Sequence, residues 1–543
     1  YMRAALGKPS RTVEENIIMT ARHGGISILI TSATDALAFL VGSATVLPAL
    51  SWFCQFAGVG VILCFVLQIT LFLPALALNA RRARDNRYDC CCCFKAKVPH
   101  PLEEEQGCCC CCKCKSGILR RSLKKTGGFI TTKHGTAMIL CLFGSLLGVG
   151  IAGGTQVYKD FKLEWFFPDS SYVNEFFNWN KDFFQGGKPV TVYMRDLNYF
   201  AAQKDLDKLH NYLNTSKFID TTEAIEDWHW EFQDSVRQTT SEWNKYLDVH
   251  GHFGEGQKDN YYTALHQWYT DGGGTRYRTR VKWMDDQCEN GTVIDPKAAV
   301  EAKRWDTCNY LKGLDASRIS ATLGLAFTDK GQDRYDTMTT MRKELAEVMK
   351  DHGGAKTFPY SFEFLYWEEV GIIDKELTRN LAICGAVVSV MIACLIPHWR
   401  IAPWVILSIV LSVVDLVGFM FYWDVTISGI STIYILISVG LAVDYSAHIA
   451  HMFVESTGTG PERAIAALER IGPSVFNAVL STMVAVVIIG FSESYVFRVF
   501  FKALFLTVLL GGAHGLLFLP TMLALFGGEK PHTQHSPRPV KNN

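Results

Sequence analysis

Eight long apolar runs dominate the chain: Ile26–Leu47, Trp52–Leu78, Thr136–Gly153, Asn380–Ile396, Ile401–Tyr422, Ser428–Phe453, Pro473–Phe491 and Val499–Phe526. At 1.5 Å per residue, about 20 apolar residues in a helix cross a hydrocarbon core about 30 Å thick. Buried helices of soluble proteins are shorter and keep a polar stripe. The pattern therefore predicts eight membrane spans. The first run is too long for the core of a secretory signal, and no initiator Met precedes it.

Two long polar segments interrupt the runs. Residues 79–133 carry Arg81, Arg82, Arg84, Arg87, Lys95, Lys97, Lys113, Lys115, Arg120, Arg121, Lys124, Lys125 and Lys133. Basic loops stay on the cytoplasmic side, so this linker is assigned there. Alternation then places the chain start, the Pro397–Arg400 turn, the Val454–Gly472 loop and the tail inside, and Gly154–Thr378 outside or in a lumen. Arg498 and Lys502 fall near the outer end of the last run, where long basic side chains can snorkel to the interface.

The two ends of the chain resemble each other. Gly25-Ile26-Ser27-Ile28 matches Gly472-Pro473-Ser474-Val475, Thr34 falls on Ser481, and Phe72-Leu73-Pro74 matches Phe518-Leu519-Pro520 with one residue of slippage. Parallel duplication of helix groups is a transporter signature. The second copy has a motif-rich run, Ser428–Phe453, just before its pair, and the first copy should have one as well. The expected organisation is therefore 1–25 cytoplasmic lead-in, 26–78 the last two spans of a first half, and 79–133 linker. Then come 134–153 as the seventh span, 154–378 as outer domain with a 215–314 insertion, 379–526 as spans eight to twelve, and 527–543 as tail. A twelve-span protein of which this is the C-terminal part is the expectation; a complete eight-span protein is the alternative.

Ionisable residues inside a membrane are expensive and mark pathways, relays or partners. In Ser428–Phe453, Gly440, Asp444 and His448 recur every four residues and share one helix face. Asp444 is the candidate proton or cation carrier, His448 its tuning partner, and Gly440 the point where a neighbouring helix approaches. A helix–helix polar clamp without turnover is the alternative. Asp35 and Asp415 are weaker candidates, because Thr31 or Ser32, and Ser412, stand within reach of a local hydrogen bond. His451 falls near the cytoplasmic end, and His514 is expected to pack against a polar neighbour.

Charge sharpens this picture. The chain holds 53 Lys+Arg and 53 Asp+Glu. Gly154–Thr378 holds 37 acidic and 27 basic residues, so the net zero is an acidic outer block against a basic remainder. Such a balance argues against a nucleic-acid partner. Two glycosylation sequons begin at Asn214 and Asn290, and the block's only cysteines are Cys288 and Cys308, a candidate disulfide in an oxidising compartment. Strands at 187–194, 319–327 and 356–361 alternate with helices at 200–213 and 335–352. This predicts a split α/β sandwich interrupted by a polar, Trp-rich and mostly helical insertion. Nine of the 13 tryptophans lie in Gly154–Thr378; core packing is the expected use for most, and a cavity for an apolar ligand the other.

Ten of the 17 cysteines cluster in the linker: Cys90, Cys91, Cys92 and Cys93, then Cys108, Cys109, Cys110, Cys111, Cys112 and Cys114. Adjacent cysteines lack the paired spacing of a zinc site. Juxtamembrane thiols beside basic residues suit palmitoylation. Metal binding and no specific role are the alternatives, and neither a metal nor a cofactor is predicted. No Gly-x-Ser-x-Gly, Walker loop or His-Glu-x-x-His motif occurs, so hydrolysis and ATP-driven transport are not expected.

The stretch Ile437-Ser438-Val439-Gly440-Leu441-Ala442-Val443-Asp444-Tyr445-Ser446-Ala447-His448-Ile449-Ala450-His451 resembles the Patched, Niemann-Pick type C and Dispatched group of the RND superfamily. Its Patched-related, Patched-domain-containing members are the most similar. Phe358-Pro359-Tyr360-Ser361-Phe362 and Val414-Asp415-Leu416-Val417-Gly418 look like the same group. The resemblance implies a polytopic α-helical membrane protein, an RND-type bundle with an extracellular or lumenal α+β ferredoxin-like domain. Of a five-span sterol-sensing domain, only the last two spans are present here. The family's Gly-x-x-x-Asp/Glu motif falls on Gly440 and Asp444 and its following histidine on His448. The implied function is proton- or cation-coupled transport of sterol or another lipid, at the plasma membrane or an endomembrane. A non-transporting receptor that binds sterol and an extracellular protein ligand is the alternative.

Overall fold

The structure is a computed structural model and describes residues 12–85, 117–183, 187–238, 240–271, 273–284, 310–324, 330–351, 356–396 and 398–530. Cys288, Cys308, Asn290 and the ten clustered cysteines lie outside the described residues.

The chain opens with α1 (Val13–Gly42), α2 (Pro48–Leu67), α3 (Leu73–Arg84), α4 (Ile118–Ile130) and α5 (Lys133–Gly154). A capping box starts α1: the Glu15 amide donates to Thr12 Oγ1 at 3.1 Å and the Thr12 amide to Glu15 Oε2 at 3.0 Å. The first apolar run ends as helix at Gly42 rather than Leu47. Pro48 opens α2, and Leu47 before it is extended, as a residue preceding proline prefers. Between α2 and α3, Gln68–Phe72 form one π turn.

The outer unit begins with α6 (Tyr172–Phe183), followed by β1 (Lys188–Arg195), α7 (Gln203–Thr215), α8 (Trp228–Arg237), α9 (Lys258–Asp271), β2 (Val281–Trp283), β3 (Leu314–Leu323), α10 (Gly331–Val348) and β4 (Thr357–Tyr360). The sheet order is β2-β3-β1-β4 and every pair is antiparallel, with Val192 opposite Ile319 and Tyr193 opposite Phe358. Alternate residues Val190, Val192 and Met194 of β1 are buried with Leu206, Leu209 and Leu213 of α7 and Met338, Met341 and Leu345 of α10. That alternation predicted β1. β3 starts earlier than expected, at Leu314, because Leu314, Ile319, Ala321 and Leu323 all reach this core. The short strand β2 was not expected, since three residues are too few to show a period.

The insertion was expected to be mostly helical. Its described part instead joins two helices, α8 and α9, through 3-10 turns and loops around an aromatic core. Trp228, Trp268 and Trp283 are buried in that core. Asp207 gathers His252 Nε2 at 2.8 Å, His229 Nε2 at 3.5 Å and Arg237 at 3.2 Å.

The chain then forms α11 (Phe364–Leu395), α12 (Ala402–Tyr422), α13 (Gly429–Glu455), α14 (Gly460–Arg470), α15 (Gly472–Ile489), α16 (Tyr495–Ala513) and α17 (Leu519–Phe526). Among the described residues, seven helices are long and apolar enough to cross a membrane: Pro48–Arg82, Lys133–Gly154, Phe364–Cys394, Ala402–Tyr422, Gly429–Glu455, Gly472–Ile489 and Tyr495–Phe526. The eighth expected run sits in α1, a helix of 30 residues.

The duplication extends beyond the sequence matches. Thr459 and Glu462 form a capping box at the start of α14, and they stand as far from Gly472 as Thr12 and Glu15 stand from Gly25. The only other π turn among the described residues, His514–Phe518, is followed by Leu519-Pro520, as Gln68–Phe72 is followed by Leu73-Pro74. Proline has no amide hydrogen and crowds the preceding turn, so the widened turn relieves the same local conflict twice.

Arg498 and Lys502 do not rely on snorkelling. Arg498 pairs with Asp169 at 2.5 Å, and Lys502 Nζ donates to the Trp423 carbonyl at 2.9 Å.

Candidate functional site

The helix α13 is the most enclosed of the single-helix spans and packs against α1, α12 and α16. Ser428 and Ser431 cap its start reciprocally. Gly440 lies at the crossing with α1. A Cβ added there would run into the Asp35 carboxylate, so the absent side chain is what lets α1 bring Asp35 onto the α13 backbone. One turn further along α13, Asp444 lies within electrostatic reach of Asp35. Its Oδ1 is enclosed with no hydrogen-bond partner. Beside them is a cavity of about 120 Å³ lined by Asp35, Ala38, Phe39, Leu436, Ile437, Gly440 and Leu441. That space takes several water molecules, and Asp35 is its only charged wall. His448 follows Asp444 by one more turn and is partly buried.

Two of the three hydroxyls named as local partners of the weaker acids, those of Thr31 and Ser412, are engaged elsewhere. Thr31 Oγ1 donates to the Ile28 carbonyl at 3.1 Å, and Ser412 Oγ to the Ile409 carbonyl at 2.9 Å. Asp35 is thus turned toward α13.

Asp415 belongs to a different crossing. Its carboxylate lies over Gly150 of α5, and its Oδ2 is 3.4 Å from His514 Nε2. Both side chains are fully buried, and His514 Nδ1 bonds the Leu510 carbonyl at 2.9 Å. Gly150, Gly153 and Gly418 let α5 and α12 approach backbone to backbone. His451 lies 3.9 Å from Glu455 near the end of α13.

Two further residues frame α13 and were not singled out in the sequence. Tyr445 packs on Gly511 and Gly515 of the last span, a small-residue pair at four-residue spacing that could have been read as a contact face. Arg463 donates to the carbonyls of Phe453, Ser456, Gly527 and Gly528, closing the ends of α13 and α17. No local pattern announces that role. In the outer unit, Asn214 is exposed at the end of α7.

The bundle and the antiparallel α+β unit define a polytopic helical membrane protein. Residues 5–96 match the sterol-sensing domain of SREBP cleavage-activation. The chain is 24% identical to NPC intracellular cholesterol transporter 1 homolog 1b of Drosophila melanogaster over 95% of this chain and 43% of the relative. It is likewise 24% identical to NPC intracellular cholesterol transporter 1 of Sus scrofa over 92% of this chain and 41% of the relative. With Protein patched homolog 1 of Danio rerio it shares 23% over 72% of this chain and 35% of the relative. The cryo-EM structure of the hedgehog release protein Disp from the water bear Hypsibius dujardini superposes with a TM-score of 0.62 at 11% identity, covering 97% of this chain and 61% of that one. The last likeness bears on the fold alone. The sterol-sensing match and these relatives support a place beside the Niemann-Pick type C and Patched proteins. It spans about two-fifths of the length of the Niemann-Pick relatives it matches.

Proposed function

We propose that the chain is part of a proton- or cation-coupled transporter of sterol or another lipid, with Asp444 as the carrier and Asp35 as its counterpart. One observation carries the reading: Asp35 on α1 rests on Gly440 of α13 beside a small cavity, and Asp444, one turn along α13 and in the other half of the chain, lies within its electrostatic reach. Two like charges in a low-dielectric site repel, and a shared proton or a bound cation removes that repulsion. Occupancy then sets how closely α1 and α13 can pack. Because these helices belong to different halves, loading the site biases one half against the other, as alternating access requires. The sterol-sensing match and the relatives named as cholesterol transporters support sterol as the first lipid class to test.

The test is uptake of a fluorescent sterol by vesicles holding the reconstituted full-length protein, under an imposed proton or sodium gradient. Asp444→Asn is expected to abolish gradient-dependent movement while leaving surface expression intact. Unchanged transport in that variant would sink the reading and leave the receptor alternative, in which the outer unit binds a protein and the spans sense sterol.

A further inference from the structure

Helix α6 has a face that the transport reading leaves unused. Tyr172, Phe176, Trp179 and Phe183 recur at intervals of four, three and four residues. At 3.6 residues per turn they fall within about 60° of arc. They are 82%, 60%, 56% and 74% exposed. The opposite side of the helix is held: Val173 and Phe177 are partly buried, and Lys188 sits 5.3 Å over the Phe177 ring. The helix is therefore fixed through one face and presents four aromatic rings on the other. Isolated exposed apolar residues are ordinary, but a continuous aromatic stripe calls for an occupant.

The chain just before α6 indicates which occupant. Pro168 bridges to Ser494, the Asp169 amide bonds the Glu493 carbonyl at 3.4 Å, and Ser170 bonds the Glu493 carboxylate. Trp165 stacks on Tyr495 with ring centres 4.3 Å apart, and Arg498 pairs with Asp169. Residues 490–494 form the turn between the spans α15 and α16, on the side the basic linker assigns as outer. Ser170 is thus tied to the outer end of two membrane helices. Tyr172 follows two residues later, so covalent geometry keeps it within about 7 Å of that anchor. A helix starting at the level where spans leave the bilayer, with Tyr, Trp and Phe on its free face, has the composition of an interfacial aromatic belt.

We propose that the aromatic face of α6 lies in the ester and headgroup layer of the outer leaflet, with zwitterionic phospholipid as its partner. Glu175 and Asp182 border the stripe and are exposed, which disfavours anionic headgroups.

The experiment uses the full chain in phosphatidylcholine vesicles containing a phospholipid with a diazirine near the headgroup. After illumination, lipid adducts are mapped by peptide mass spectrometry. The peptide spanning Tyr172–Phe183 is expected to carry adducts at a level comparable to the span ends. The double substitution Phe176→Asp with Trp179→Asp should reduce them by at least about fivefold, with span labelling unchanged. The milder pair Phe176→Ser with Trp179→Ser, checked for unchanged protease resistance of the outer domain, separates lost contact from lost folding and should also reduce labelling. An unlabelled α6 peptide beside labelled span ends overturns the proposal. So does labelling that appears only when phosphatidylserine is added, or a protein–protein cross-link through the stripe in place of lipid.

Discussion

Two carboxylates, Asp415 fully buried and Asp35 partly so, sit over glycines in the helix bundle, yet their surroundings differ. Asp415 lies on Gly150 with a histidine, His514, 3.4 Å away and with both side chains fully enclosed. Asp35 lies on Gly440 with a second acid, Asp444, in electrostatic reach and a cavity alongside. In both places the missing Cβ lets an acid reach a neighbouring backbone. An acid facing a histidine has a partner that stabilises it in either protonation arrangement, which suits a lasting joint. An acid with a second acid in electrostatic reach is relieved of repulsion when a proton is shared or a cation is bound, which suits a site that loads and unloads. The comparison separates a structural clamp from a working site by the partner rather than by the acid.

The largest expected effect tests the clamp. His514→Ala leaves Asp415 buried without its partner and should destabilise the bundle by about 3–5 kcal/mol, read as a lower midpoint of thermal unfolding in detergent. The same loss in transport with no change in stability would instead place Asp415 with the working site. Next, Asp444→Asn should reduce gradient-driven sterol movement at least about 100-fold, some 2.7 kcal/mol, while leaving unfolding unchanged or slightly raised because a like charge beside Asp35 is removed. An unfolding midpoint that falls steeply would make Asp444 a clamp too. Gly440→Ala inserts a Cβ against the Asp35 carboxylate and should destabilise by about 1–3 kcal/mol. Adding Asp35→Ala should recover part of that loss, and a double-mutant cycle with no coupling would remove Asp35 from the crossing.

The smallest effect concerns the outer unit, where His252 Nε2 bonds the Asp207 carboxylate at 2.8 Å, closer than His514 comes to Asp415. Burial alone would raise the Asp207 pKa, but hydrogen bonds and charge from His229 and His252 hold it well below the usual carboxylate range. A depressed carboxylate contributes stability above its unfolded pKa of about 4 and loses it as pH falls through the folded value. Asp207→Asn should therefore lower outer-domain stability by about 1–2 kcal/mol, by an amount constant from neutral pH to about 5 and shrinking only in stronger acid. Limited proteolysis across pH measures this, and a gap that widens below pH 4 contradicts the pairing.

Much of the fold was legible along the chain because its signals are local. A bilayer of fixed thickness demands runs of fixed length, so the helices α2, α5, α11, α12, α13, α15 and α16 with α17 fall where hydropathy places them. The alternation in Val190, Val192 and Met194 is likewise a neighbour-to-neighbour signal, and so is the four-residue recurrence of Gly440, Asp444 and His448. β2 was missed because three residues carry no period. The partners of Thr31 and Ser412 were misjudged because a helical hydroxyl has a backbone carbonyl closer than any side chain.

By itself, the sequence determined that this is a membrane protein with an acidic outer domain, a duplicated helix plan and a charged helix at its centre. Spacing along one strand of chain suffices for each of these. Only the tertiary structure decided that Asp35 rests on Gly440, in electrostatic reach of Asp444, while Asp415 faces His514. Only it showed that Arg463 closes two helix ends, and that α6 has one face held and one face free. Those outcomes depend on where helices distant in sequence cross. A crossing is set by which small residues let two backbones approach, which no period within a single helix records.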